Sequence, residues 1–176
     1  MFASDTALFG TICADFEDIL PTDLHDTLSK ALGAQYLQET NDPNHQKNIR
    51  GIAWGTNLRA IISLHVQITE SILTLSGTKR PVHIHFLYLA ASPQTFLSDE
   101  ALRVLGIEDL VVVGEAHTDG AMRLPVRING YTIHVQRSPS DSHFTHLNIL
   151  GQDFVRLTNA KVFFGGQVPR FEISFP

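Results

Sequence analysis

The segment FLYLAASPQTFLS, Phe86 to Ser98, runs directly into DEALRVLG, Asp99 to Gly106. An apolar run rich in aromatic and aliphatic residues predicts a strand. Small residues and Ser92-Pro93 break it. After a short Thr-Phe-Leu piece, Ser98 stands where a helix N-cap is needed, and Gly106 stands where that helix would close. A second stretch, LNILGQDF, Leu147 to Phe154, is followed by LTNAKVF, Leu157 to Phe163. Between the two lies a strand pair, Met122 to Ile128 and Tyr131 to Gln136, built around Asn129-Gly130. Asn-Gly is a strong hairpin signal because a type I′ turn needs positive φ at both central residues.

The rest of the chain from Gly51 onward also reads as short strands: Leu58 to Ile68, Ser71 to Leu75, Val82 to Tyr88, Leu110 to Val113, Met122 to Ile128, Tyr131 to Gln136, Lys161 to Phe164 and Phe171 to Phe175. Each is rich in β-branched or aromatic residues and bounded by turn formers. Asp153 to Leu157 adds about one helical turn. Many short strands with few helices predict a small barrel or closed sheet. The first fifty residues differ. Leu24, Leu28, Ala31 and Leu32 recur at helical spacing after Pro21, with Gly33 as a stop signal, and Cys13 to Leu20 suggests a shorter helix. Glu39 to Asn48 is polar and rich in turn formers, so it reads as a loop or linker. The expected organisation is a helical extension over 1–50 and a β domain over 51–176.

Taken together, the two quoted stretches resemble the retropepsin-like aspartic proteases of retroviruses and retrotransposons. That family has an apolar strand, an Asp-Thr/Ser-Gly motif, a short Thr-containing segment and a helix, and later an Ile-Leu-Gly-x-Asp-Phe motif. Ile149, Leu150, Gly151 and Asp153 match the later motif. The resemblance spans about 51–176 and implies an all-β, retropepsin-like closed barrel, the acid-protease half, with short helices. It implies a flap over Val111 to Pro125, with His117, Thr118, Asp119 and Gly120 near its tip. It also implies a homodimer, in which each chain supplies half of a cleft and the C-terminal strand, Arg170 to Phe175, interleaves across the two-fold axis.

Chemistry is where the sequence departs from the family. Aligning Ser92-Pro93 with the end of the catalytic motif puts Leu89 at the catalytic Asp, Ala90 at the Thr/Ser and Ala91 at the Gly. The family's two carboxylates share a proton and activate a water. Leucine has no titratable proton, and Ala90 lacks the hydroxyl that would bond across the dimer. No catalytic residue is therefore assigned, and Leu89, Ala90, Ala91 and Ser92 mark a degenerate motif. Asp119-Gly120 reads as a hairpin turn, Asp5-Thr6 as a helix cap, and Asp153 as a structural residue that caps the short helix or pairs with an arginine. The expected function is a pseudoprotease, a homodimeric binding or assembly module that holds an extended peptide or a protein partner. The alternatives are an active retroelement-type aspartic endopeptidase whose motif lies elsewhere, and a metal-dependent hydrolase built on His65, His83 and His85. The three histidines fall on neighbouring strands, although a polar face covered by the N-terminal segment explains them as well. His143 and His146 read as solvated loop residues. Trp54, Phe163, Phe164, Phe171 and Phe175 read as core or interface packing.

Composition narrows the classes further. The 176 residues carry 13 Lys+Arg against 18 Asp+Glu, a net charge of -5. That balance argues against a nucleic-acid binder. A single cysteine, Cys13, leaves no disulfide framework and no multi-cysteine metal site. No cofactor or metal is expected. The acidic N-terminus lacks a signal-peptide pattern and no apolar run reaches bilayer length, so a cytoplasmic, membrane-free setting is expected.

Overall fold

The computed structural model describes residues 19–41, 46–70, 80–112, 123–140, 142, 144–165 and 170–176. The expected strand Ser71 to Leu75, the helix expected from Cys13, Asp5, His143 and the four flap-tip residues His117, Thr118, Asp119 and Gly120 lie outside the described residues.

Among the described residues nine strands make one sheet: β1 Asn48–Trp54, β2 Arg59–Ile68, β3 Val82–Tyr88, β4 Phe96–Leu97, β5 Leu124–Ile128, β6 Tyr131–Arg137, β7 Asn148–Leu150, β8 Lys161–Gly165 and β9 Arg170–Ser174. Their order is β3-β7-β4-β6-β5-β2-β1-β9-β8, and β3 also pairs with β2. That extra ladder closes the first six into a barrel and leaves β1, β9 and β8 as a sheet running off β2. Among the described residues the helices are short: α1 Pro21–His25, α2 Thr27–Leu32, α3 Asp99–Val104 and α4 Gln152–Thr158, with a 3-10 turn at Asp109–Val112. The fold is mostly β, a closed six-stranded barrel with a few short helices, consistent with the retropepsin-like expectation. No helix among the described residues is long and apolar enough to cross a membrane.

Local chemistry accounts for several element ends. Ser98 Oγ accepts from Ala101 N at the start of α3. Gly33, at φ 68°, terminates α2. Asn129 and Gly130 take φ 48° and 84° and turn β5 into β6. The alternating residues of the barrel point Ile62, Leu64, Val66, Val82, Ile84, Phe86, Val126, Ile128, Ile133 and Val135 inward. Ile19, Leu24, Leu28 and Tyr36 from the N-terminal segment belong to the same core.

Three details differ from the sequence expectation. Leu110 to Val113, read as a strand, begins as a 3-10 turn, because an apolar run this short satisfies either state. β1 was not foreseen. Asn48, Ile49 and Arg50 alternate exposed, buried, exposed, but Gly51 interrupts the pattern after one period. That glycine is required, because a Cβ there would run into Ile61 O and the Phe171 ring. The helix read over Asp153 to Leu157 is longer and spans Gln152–Thr158.

Candidate functional site: the turn after β3

β3 and β7 run parallel, with Phe86, Leu87 and Tyr88 facing Asn148, Ile149 and Leu150. Both strands end at the same level, and the segments that leave them are tied together. Leu89 N donates to Leu150 O (3.1 Å), and Gln152 N donates to Ser92 O (2.8 Å). Ser92 N donates to Leu89 O (2.9 Å), which closes Leu89-Ala90-Ala91-Ser92 into a tight turn. Ala90 and Ala91 are exposed, Leu89 is half-buried and Ser92 is buried. The Ser92 hydroxyl donates to Gln94 O at 2.7 Å. The turn holds no titratable side chain.

The junction carries one carboxylate among the residues just named and their neighbours in α4, Asp153, and it is held by three hydrogen bonds. Its Oδ1 accepts from the Thr95 hydroxyl (2.6 Å) and from Phe154 N (2.8 Å), and its Oδ2 accepts from Thr95 N (3.0 Å). Thr95 Oγ1 in turn accepts from Gly151 N (3.1 Å). Asp153 thus locks two loops together at the first turn of α4. It partners a threonine rather than an arginine, and the N-cap position itself belongs to Gly151. Gly151 admits no side chain, because a Cβ would collide with the Gln94 carbonyl. Ile149, Leu150, Gly151 and Asp153 are therefore brought together with the Leu89–Ser92 turn. The partner that sequence reading missed is Thr95, which is completely buried.

Beside the turn lies a shallow groove of about 210 Å³, lined by Leu58, Arg59, Leu87, Tyr88, Leu89, Ala90 and Phe164 among others. The Tyr88 ring stacks on Phe171 (5.5 Å between centroids), and Phe171 packs on Phe164 (5.2 Å). Of the aromatic group singled out in the sequence, Phe171 and Phe175 are core residues. Phe163 and Phe164 are 52% and 63% exposed.

The three histidines do not converge. His65 and His83 face each other across β2 and β3 with ring centroids 4.5 Å apart. His85 lies under the N-terminal segment. Its Nε2 meets Ser29 Oγ at 3.1 Å, and its ring lies 5.2 Å from Tyr36. Burial, aided by the neighbouring His83 and His25, pushes its pKa down to about 4. Among the described residues no three His, Cys, Asp or Glu side chains are placed to hold a metal ion. His146, expected to be solvated, is instead within 2.7 Å of Ile19 O and ties the N-terminal segment to the loop before β7.

No protein-family model matches the chain, and no curated protein matches it. Among solved structures, the chain is similar to the crystal structure of a retropepsin-like aspartic protease from Rickettsia conorii, at a TM-score of 0.44 and 15% identity, covering 73% of this chain and 90% of that one.

Proposed function

We propose that the chain is a non-catalytic retropepsin-like module that works as a homodimer and holds an extended peptide beside the Leu89–Ser92 turn. The observation that carries this reading is the chemistry of the turn. Where the resemblance demands a carboxylate, Leu89, Ala90 and Ala91 offer none, and the adjacent Asp153 is engaged by Thr95 and Phe154 N. Aspartic-protease chemistry needs one carboxylate to accept a proton from water and another to supply one to the scissile carbonyl. The groove lined by Leu58, Leu87, Leu89, Ala90 and Phe164 supports a binding role, since it offers apolar surface to alternate side chains of an extended segment.

A cleavage assay on a mixed peptide library between about pH 4 and 6 tests the reading, with and without a transition-state-analogue inhibitor of aspartic proteases. The expected result is no cleavage. Cleavage suppressed by the inhibitor would overturn the proposal and restore the active endopeptidase.

A further inference from the structure

Strand β2 changes partners half-way along one edge. It pairs with β1 through Arg59, Ala60 and Ile61, and with β5 through Val66, Gln67 and Ile68. Its other edge stays paired with β3 from Ile61 to Val66. Ser63 and His65 therefore sit in a fork between two diverging ladders, on the outer face opposite the inward Ile62, Leu64 and Val66. A cavity of about 240 Å³ fills the fork. Ser63, His65 and His83 line it from β2 and β3, Asn48 and Arg50 from β1, and Asn129 from the β5–β6 turn. The end of α2, at Gly33 and Ala34, borders it.

The lining has one chemical sense. It contains an arginine, two imidazoles, a hydroxyl and carboxamides, and no Asp or Glu among the described residues. A guanidinium offers a fork of donors matched to an oxyanion, and each imidazole carries at least one N–H in either protonation state. The Arg50 side chain is 84% exposed at the mouth, where its Nε makes a long, solvated ion pair of 3.8 Å with Glu172 that leaves the rest of the guanidinium to an anion. Asn129 holds the wall rigid, since its side chain accepts from Gln46 N (3.1 Å) and donates to Gln46 O (3.0 Å). The Ser63 hydroxyl is buried and has no hydrogen-bond partner within the protein. A buried hydroxyl is normally satisfied, so an orphan in a polar cavity indicates a ligand or water that completes it.

We infer that the fork between β1, β2 and β5 binds a small oxyanion, a phosphate or a carboxylate, with Arg50 and Ser63 as its principal donors. The site lies apart from the Leu89–Ser92 turn and is independent of whether the chain cleaves peptides. Amide chemical shifts of the purified chain, followed while chloride is replaced by phosphate or by succinate at constant ionic strength, test it directly. Saturable shifts centred on Asn48, Arg50, Ser63 and His65 are expected, with a Kd of about 1 mM. Arg50→Gln is expected to weaken binding about tenfold and Ser63→Ala about fivefold, while Arg103→Gln on α3 leaves it unchanged. Saturation by phosphate alone assigns a phosphate ligand, and saturation by succinate alone a carboxylate. Shifts that fail to saturate with either anion, or that survive both pocket substitutions in a folded protein, overturn the inference.

Discussion

Thr95 and Asp153 are 58 positions apart in the chain, yet their side chains meet at 2.6 Å and carry the junction between the two loops that frame the candidate cleft. Thr95 acts in both directions, donating to the carboxylate and accepting from Gly151 N. Removing its hydroxyl leaves the buried Gly151 amide and one lone pair of the half-buried Asp153 carboxylate without their partner. Hydrogen bonds to charged groups contribute about 1.5–3 kcal/mol each. Thr95→Val is therefore expected to cost about 2–3 kcal/mol in urea denaturation, whereas Thr95→Ser, which keeps the oxygen, costs under about 1 kcal/mol. Equal losses for the two would show that the methyl group, not the hydrogen bonds, matters at this position. The site was only half legible in the sequence for the same reason. Gly151 and Asp153 announce themselves in a local motif, but nothing local marks Thr95 as the partner of Asp153. The non-ionisable Leu89, by contrast, is read directly from the residue list.

At the scale of elements, the strands whose alternation is uninterrupted were readable. Val82–Tyr88 has the predicted bounds, and Asn129-Gly130 turns where its φ tolerance requires. Elements fixed by distant partners were not. β1 takes its pairing from β2 and β9, and polar Glu39 bridges Val82 although its neighbourhood reads as loop. The docking of the N-terminal segment belongs to this second kind. Leu37 N donates to His83 O (2.8 Å), and His83 N donates to Gln38 O (2.9 Å). Beneath this edge His85 faces Ser29 and Tyr36, with His83 beside it on β3 and His25 on α1, where His25 also contacts Glu100 of α3. Tyr36 is buried too, and that burial raises its pKa to about 12, while its hydroxyl accepts from Asn148 Nδ2. The two groups bound the stability of this layer from opposite sides. The unfolded chain protonates His85 near its ordinary value of about 6.5, whereas the folded chain does so only near 4, so stability falls as pH drops through that window. The full effect is about 3 kcal/mol. The unfolded chain ionises Tyr36 from about pH 10 and the folded chain from about 12, so stability falls again as pH rises between those values. Urea midpoints measured from pH 4 to 11 should form a plateau between about 6.5 and 10. His85→Gln should flatten the acid limb and Tyr36→Phe the alkaline limb. An acid limb unchanged in His85→Gln would assign it to other groups.

For the molecule as a whole, the arrangement of the terminal strands bears on how two copies can meet. The resemblance implies that C-terminal strands interleave across a two-fold axis. Here β9 pairs with β1 from Asn48 to Ile52 on one side and with β8 from Lys161 to Gly165 on the other. Both edges of the C-terminal strand are therefore satisfied within one chain, and interleaving would require at least one ladder to open. The end of the sheet is β8, whose Phe163 and Phe164 are exposed, and Leu58, 58% exposed, lines the groove with Phe164, Leu89 and Ala90. Exposed apolar side chains clustered at a sheet end favour a partner surface. A homodimer of the proposed kind is then expected to close through the Leu58–Phe164 face and to bring the two Leu89 turns near each other, not through exchange of β9. Sedimentation equilibrium should give a dimer for the wild type, and the double substitution Leu58→Lys with Phe164→Lys should shift it to monomer. The pair should keep a folded monomer, because exposed positions contribute within about 0.5 kcal/mol, while its urea midpoint loses the dependence on protein concentration that a dimer imposes. A wild-type chain that stays monomeric at about 100 µM, weaker than nearly any specific dimer, would remove the dimer from the proposal. A dimer untouched by the double lysine variant would place its interface elsewhere and reopen strand exchange through β9.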